Sequence, residues 1–314
     1  MANRNNGSPR DAVITKKILY RQRVLIALAI VFVIYGIIFY YIPLGGWIMA
    51  FENYKPKTGL FGSKFVGLDK FKFLFSDKTF IQVIRNTFCM GILNLVFPTT
   101  IFPIIFAILL NEMKSLGGKK AVQTISYLPH FLSWIIVTGI LHDSLSNSGI
   151  VNELLLKFGI IKDPIGFFSE PKLFWGIVCF AHLWKEMGWN AIIYLSAISS
   201  IDPCLYEAAS IDGAGRWGKI KHVTLPSLRP TIIVLLLMNM GFILNAGFEV
   251  QYLLGNGLVQ SVSQTIDIYV LTWGVSQNDY SLGTAAGIFK SVVSVLIIVI
   301  CNAVAKRSGE ERLF

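Results

Sequence analysis

Long apolar runs separated by short polar segments dominate the chain. A helix needs about 20 mostly apolar residues to cross the hydrocarbon core of a bilayer. Six runs qualify, at roughly 24–50, 81–110, 122–141, 173–198, 231–253 and 284–305. The third is the weakest, because Pro129, His130 and Ser133 interrupt it. Polar residues inside spans are expected where helices face a pathway instead of lipid. Between spans, Ile150, Val151, Leu154, Leu155 and Phe158 recur at helical spacing. Ile266, Ile268, Tyr269, Val270, Leu271 and Trp273 could form another short helix. Such ordered loops suit either internal packing or docking of an external partner. The pattern gives an all-α integral membrane protein of about six transmembrane helices.

Composition agrees. Only 15% of residues are charged and mean hydropathy is +0.61, against about 25% charged in an ordinary soluble domain. The apolar stretch from Val24 to Phe51 is far longer than the core of a signal peptide. It is therefore expected to remain as an uncleaved first helix.

The net charge of +10 would suggest nucleic acid in a soluble protein. Here the basic residues lie mostly between apolar runs, where they act as topology signals, and no nucleic-acid partner is expected. Arg4, Arg10, Lys16, Lys17, Arg21 and Arg23 precede the first run. Placing this end in the cytoplasm puts 111–121, 199–230 and 306–314 there too. Those segments hold more Lys and Arg than the loops 52–80, 142–172 and 254–283. Both termini are thus expected in the cytoplasm. Cys89, Cys179, Cys204 and Cys301 show no metal-ligand spacing, and His130, His142, His182 and His222 are scattered. No metal site is expected.

The segment from Ser200 to Pro226 carries the most information. Asp202 is a good N-cap and Pro203 a good first helical residue. Leu205 to Ile211 favours helix, and Asp212-Gly213 is a turn signal. A second short helix follows, with Trp217, Ile220 and Val223 three apart, and Pro226 is expected to end it. Small residues at the bend allow another surface to come close.

Glu207-Ala208-Ala209-x-x-Asp212-Gly213-Ala214, followed by Leu225-Pro226, resembles the EAA loop of ABC importer permeases. The stretches Tyr41-Ile42-Pro43 to Ala50-Phe51 and Val66-Gly67-Leu68-Asp69-x-Phe71 resemble polysaccharide-type (LplB-like) sugar permeases. The resemblance implies a type I ABC importer permease arrangement. It divides the chain into 1–85, a permease core at 86–305 with its coupling loop at 203–226, and a cytoplasmic tail at 306–314. It implies a second permease subunit, two cytoplasmic ATPase subunits that hold ATP and Mg, and an extracellular solute-binding protein delivering a carbohydrate. The setting is the cytoplasmic membrane of a bacterium.

In that reading Glu207 makes a polar contact with the ATPase. Ala208, Ala209, Gly213 and Ala214 give steric fit, Asp212 fixes the bend, and Trp217, Leu225 and Pro226 seat the loop. The chain has no G-x-x-x-x-G-K-[ST] phosphate loop, so ATP hydrolysis is expected elsewhere. No catalytic residue and no bound cofactor is expected.

Intramembrane polar residues are the candidates for the solute path, because exposing them to lipid is costly. The fourth run holds Trp184, Lys185, Glu186, Trp189 and Asn190, and the fifth Asn239, Asn245, Glu249 and Gln251. Of these, Trp184, Glu186, Trp189, Asn190, Asn245, Glu249 and Gln251 are the residues picked for substrate contact. Aromatic faces stack on sugar rings, and carboxylates and amides bind hydroxyls. Helix–helix hydrogen bonds or an ion pair at Lys185–Glu186 would place the same residues there for structural reasons. Rival classes are a secondary transporter, which has no use for such a loop, a membrane scaffold and a membrane enzyme.

Overall fold

The computed structural model describes residues 20–307. Of the basic N-terminus, Arg4, Arg10, Lys16 and Lys17 lie outside the described residues, as do 308–314 of the tail. Among the described residues, four helices are long and apolar enough to cross a membrane on their own. They are the first span Arg23–Phe51, the second Lys78–Asn111, the fifth Arg216–Met240 and the sixth Tyr280–Arg307. A bent pair, Leu116–Phe131 with Trp134–Lys157, qualifies as one more. The fourth, Pro171–Ser199, has 29 residues. At about 1.5 Å rise per residue it is long enough to cross, but His182, Lys185, Glu186 and Asn190 dilute its hydropathy.

That fourth span is the central post. Phe174, Val178, Ala181, Lys185, Gly188, Ala191, Tyr194 and Ile198 are buried at intervals of three or four, so most of one face meets protein. Its C-terminal half packs on Ala107 of the second span and Leu228 of the fifth. Its N-terminal half packs on Met90, Val137, Leu141 and Val250. A second core joins Ala50, Leu74, Phe80, Ile266, Tyr269 and Leu282. Small residues let backbones approach. A Cβ at Gly91 would collide with the carbonyl oxygen of Ile243. Gly91→Leu is therefore expected to destabilise the protein by about 1–3 kcal/mol through overpacking, read as a lower unfolding temperature in detergent.

Three expectations need correction. The third run does not cross straight: its two halves meet at 103°. Leu132 is extended, Ser133 caps the second half, and its Oγ accepts from Ile136 N at 3.4 Å. The fifth run is not one span over 231–253. Its helix begins at Arg216 and stops at Met240. Gly247, at φ +80°, then starts a separate helix, Phe248–Leu254. Finally, Pro226 ends nothing. The helix that begins at Arg216 widens into a π turn over Ile220–Thr224 and runs on through Pro226. A wider turn relieves the clash of a proline ring with the carbonyl one turn back.

The loops at 142–172 and 254–283 are ordered. Ile150–Lys157 and Ile266–Ser276 are helical. A short antiparallel ladder, Glu52↔Phe65 and Asn53↔Lys64, is the exception to an otherwise helical chain. The 254–276 region is stitched to three spans. Asn86 Nδ2 donates to Ser261 O and Gln264 O at 3.0 and 3.1 Å. Trp175 Nε1 donates to Val262 O at 2.9 Å. Lys290 Nζ lies 2.6 Å from Asp267 Oδ1.

Candidate coupling loop and translocation pathway

Local chemistry builds the 203–226 loop. The Asp202 carboxylate accepts from Cys204 N at 2.9 Å and starts Pro203–Ile211. The helix ends in a Schellman motif, in which Ala214 N donates to Ala209 O at 2.8 Å and Gly213 N to Ser210 O at 3.1 Å. Gly213 takes φ +80°, the left-handed conformation that a residue without Cβ adopts most cheaply. The chain reverses there and Arg216 opens the fifth span.

Two ties hold the loop to the body. Tyr206 Oη and Thr224 Oγ1 lie 2.9 Å apart, joining the short helix to the π turn. Arg216 Nε lies 3.1 Å from Glu112 Oε2 at the end of the second span. Glu207, Ala208, Asp212 and Gly213 are exposed, and Ala209 and Ala214 are partly covered. Trp217 is 80% exposed. With Leu225, Ile104, Ile108 and Ile220 it lines an apolar hollow beside the second span. Pro226 is exposed on the helix surface. The loop is thus a short knob, with Ala208 and Gly213 exposed beside the larger Ile211 and Trp217, clamped to two spans.

The polar intramembrane residues fall into separate groups. In the first, Glu186 Oε2 lies 2.7 Å from His130 Nδ1, and its other oxygen 3.1 Å from Lys185 Nζ. Lys185 Nζ also donates to His130 O at 2.6 Å. The Trp189 ring stacks on His130 with centroids 4.2 Å apart. The bend of the third span is thereby bolted to the central post. Asn190 Nδ2 donates to Pro98 O at 3.2 Å, inside the π turn of the second span.

The second group surrounds the break in the fifth span. Asn94, Thr99, His182, Asn239 and Asn245 line a hollow of about 200 Å³. Asn94 Oδ1 and His182 Nε2 are buried without a hydrogen-bond partner. Unpaired buried polar atoms are costly, so this hollow is suited to a hydroxyl-bearing ligand. Gln251 is buried and its amide donates to Ala246 O, while Glu249 is exposed. Trp184 belongs to neither group. It lines an apolar hollow with Phe180, Leu141 and Phe167.

Sequence reasoning did not single out His130, His182 or Asn94 as path residues. His130 was visible only as an interruption of the third run. His182 and Asn94 gain significance from the partners they lack, which no linear pattern shows. Arg85 and Lys290, conceivable partners of the intramembrane acids, bond elsewhere. Arg85 donates to Asn86 Oδ1 at 3.0 Å and Lys290 pairs with Asp267.

Known proteins share this architecture. Residues 101–309 match the family described as the inner membrane component of binding-protein-dependent transport systems. The polygalacturonan/rhamnogalacturonan transport system permease protein YteP of Bacillus subtilis (strain 168) is 40% identical over 97% of this chain and 97% of its own length. Protein LplB of the same organism is 40% identical over 94% of this chain and 92% of its length. A solved bacterial ABC transporter involved in the import of the acidic polysaccharide alginate superposes at TM-score 0.85, with 40% identity over 93% of this chain and 98% of that one. The same transporter type has been solved in complex with an alginate pentasaccharide-bound periplasmic protein. The chain therefore belongs to the family of inner-membrane components of binding-protein-dependent transport systems, and is a multi-pass transport subunit of an ABC importer, not an enzyme.

Proposed function

We propose that this chain is one of two permease halves that carry an oligo- or polysaccharide, handed over by an extracellular binding protein, into the cell. The observation that carries the reading is the clamped knob at 203–226. Its bend is tight, with Ala208 and Gly213 exposed, and its base is tied to the second and fifth spans by Arg216–Glu112 and Tyr206–Thr224. A push on such a knob moves both spans. Two separate ATPase subunits, holding ATP and Mg, supply the push. Glu207 gives the polar contact, Ala208, Ala209, Gly213 and Ala214 the fit, and Asp212 the bend. Trp217, Leu225 and Pro226 seat the helix that follows.

ATP binding drives transport only if nucleotide and solute each bind the inward- and outward-open states differently. The hollow at the break of the fifth span suits that role, because a helix break is a place where two arrangements can interconvert. There His182, Asn94, Asn239 and Asn245 offer donors and acceptors to sugar hydroxyls. Trp189, on the same fourth span, is held in place by stacking on His130, which the Glu186 contact fixes. The relatives named for polygalacturonan, rhamnogalacturonan and alginate make uronic-acid chains the first solutes to assay. The cytoplasmic placement of both termini puts the knob on the side where ATP is found.

Reconstitution tests the whole reading. The chain, its partner permease and the ATPase pair in proteoliposomes are expected to show ATP-dependent uptake that also requires the binding protein. Uptake without ATP, driven by a proton or sodium gradient, would sink it. Within the path, Asn245→Ala is expected to slow uptake about tenfold, the loss of one to two sugar hydrogen bonds, with ATPase co-purification unchanged. Trp184→Ala and Glu249→Ala complete the set. Wild-type transport in both would remove those two residues from the path.

A further inference from the structure

The hairpin that follows the first span contributes no residue to the coupling loop or to the hollows described above. It lies on the membrane face opposite the coupling loop, at the outer ends of two spans. Its base is fixed there. Val66 N and Gly67 N donate to Phe51 O at 2.8 and 3.0 Å. Tyr54 N donates to Ser281 Oγ at 2.9 Å, at the start of the sixth span. Its tip is stiff. Ser63 Oγ donates to Gly59 O at 2.8 Å and accepts from Lys55 N at 3.1 Å, and Thr58 Oγ1 lies 3.0 Å from it.

This stiff tip presents an unusual surface. Phe61 is 98% exposed and Phe65 68%. Lys55, Lys57 and Lys64 are exposed beside them and make no ion pair among the described residues. Lys70 and Lys72, just after the hairpin, differ, since Lys70 pairs with Asp279 and Lys72 with Asp69. An ordered loop that holds a large aromatic in water gains nothing from it unless something covers the ring. The hairpin also follows directly on the first span. The first span carries exposed Tyr40, Tyr41 and Trp47 toward the same end, the aromatic belt of a membrane boundary. Lysine beside aromatic at that depth is the pattern of a side chain that keeps its stem in the boundary and its charge at the phosphates.

We propose that the hairpin 52–65 is an interfacial anchor for anionic phospholipid: Lys55, Lys57 and Lys64 bind headgroup phosphates while Phe61 enters the acyl boundary. The anchor fixes the outer end of the first span. The inference requires only a multi-pass membrane protein and holds for any solute.

The test uses the complete importer in nanodiscs of phosphatidylcholine, with or without phosphatidylglycerol. Phe61→Cys, in a background with the exposed Cys204 replaced by serine, carries a polarity-sensitive dye. The dye is expected to be quenched by a nitroxide borne on lipid and spared by aqueous iodide. Phosphatidylglycerol is expected to be enriched around it, and each lysine neutralised in Lys55→Gln, Lys57→Gln and Lys64→Gln should lower that enrichment by up to about fivefold. Iodide quenching equal to that of free dye would overturn the proposal. Lipid quenching that is indifferent to phosphatidylglycerol and to the three lysines would overturn the headgroup assignment. Protection that arises only on adding the binding protein would also overturn it, and would make the tip a protein dock. Loss of uptake in the lysine variants is not the readout, so failure here is distinct from failure of the transport reading.

Discussion

Gly213→Trp is expected to reduce solute uptake at least about 30-fold while the chain still inserts and pairs with its partner permease. The magnitude corresponds to about 2 kcal/mol lost at the centre of a subunit contact. Two effects combine. Gly213 sits at φ +80°, where a residue with a Cβ costs about 1–2 kcal/mol. The larger effect is steric. No atom lies within 4 Å of a Cβ built at this position, so the side chain leaves the backbone into open space. In the assembly proposed above it stands on the face that enters the ATPase cleft. Loss of function beyond the backbone strain then requires a partner at that face. Gly213→Asn separates the two effects, because asparagine tolerates the left-handed region and is small. It should keep most of the transport. The measurements are uptake in proteoliposomes and co-purification of the ATPase. Normal uptake by the tryptophan variant would refute the lever.

What the sequence made legible follows from which forces are local. Hydrocarbon demands a length of apolar residues whatever the tertiary structure. The runs at 24–50, 81–110 and 284–305 accordingly reappear as Arg23–Phe51, Lys78–Asn111 and Tyr280–Arg307. Cap chemistry is equally local. Asp202, Pro203 and Gly213 could be assigned from their neighbours, and the structure uses them so. Direction is not local. Pro129 and Ser133 announced a weak point in the third run, but the 103° turn depends on Lys185 of the fourth span reaching the His130 carbonyl. Nor could the apolar run at 231–253 reveal its break. Gly241 and Gly247 permit it, and packing of Ile243 against Gly91 completes it. Pro226 misled for the opposite reason. Its stop signal was real, and the π turn before it absorbed the strain.

The path residues follow the same division. Their polarity marked Trp184, Glu186, Trp189, Asn190, Asn245, Glu249 and Gln251 from the sequence, but polarity says nothing about partners. The fold assigns different situations to them. Asn190 bonds a carbonyl freed at a proline turn, and Asn245 faces the hollow. Gln251 is spent on its own turn, and Trp184 faces an apolar hollow.

Glu186→Ala is expected to destabilise the protein by about 3–5 kcal/mol, the cost of stranding one member of a buried ion pair. The stranded member is Lys185, whose side chain is 7% exposed. It would retain the His130 carbonyl at 2.6 Å but lose its counter-charge, and His130 would lose its bond to the carboxylate. The bend of the third span and the stacking of Trp189 on His130 both depend on that bond. Removing the charge with its partner should reverse much of the loss. Lys185→Met combined with Glu186→Leu replaces the pair by apolar groups of similar volume, an exchange that is often neutral. Thermal unfolding of the solubilised complex reads the stability, and uptake reads the function. The double variant is expected to recover most of the stability but only part of the transport, because no carboxylate then holds His130 and, through it, Trp189. Full recovery of uptake together with stability would refute the positioning role of Glu186.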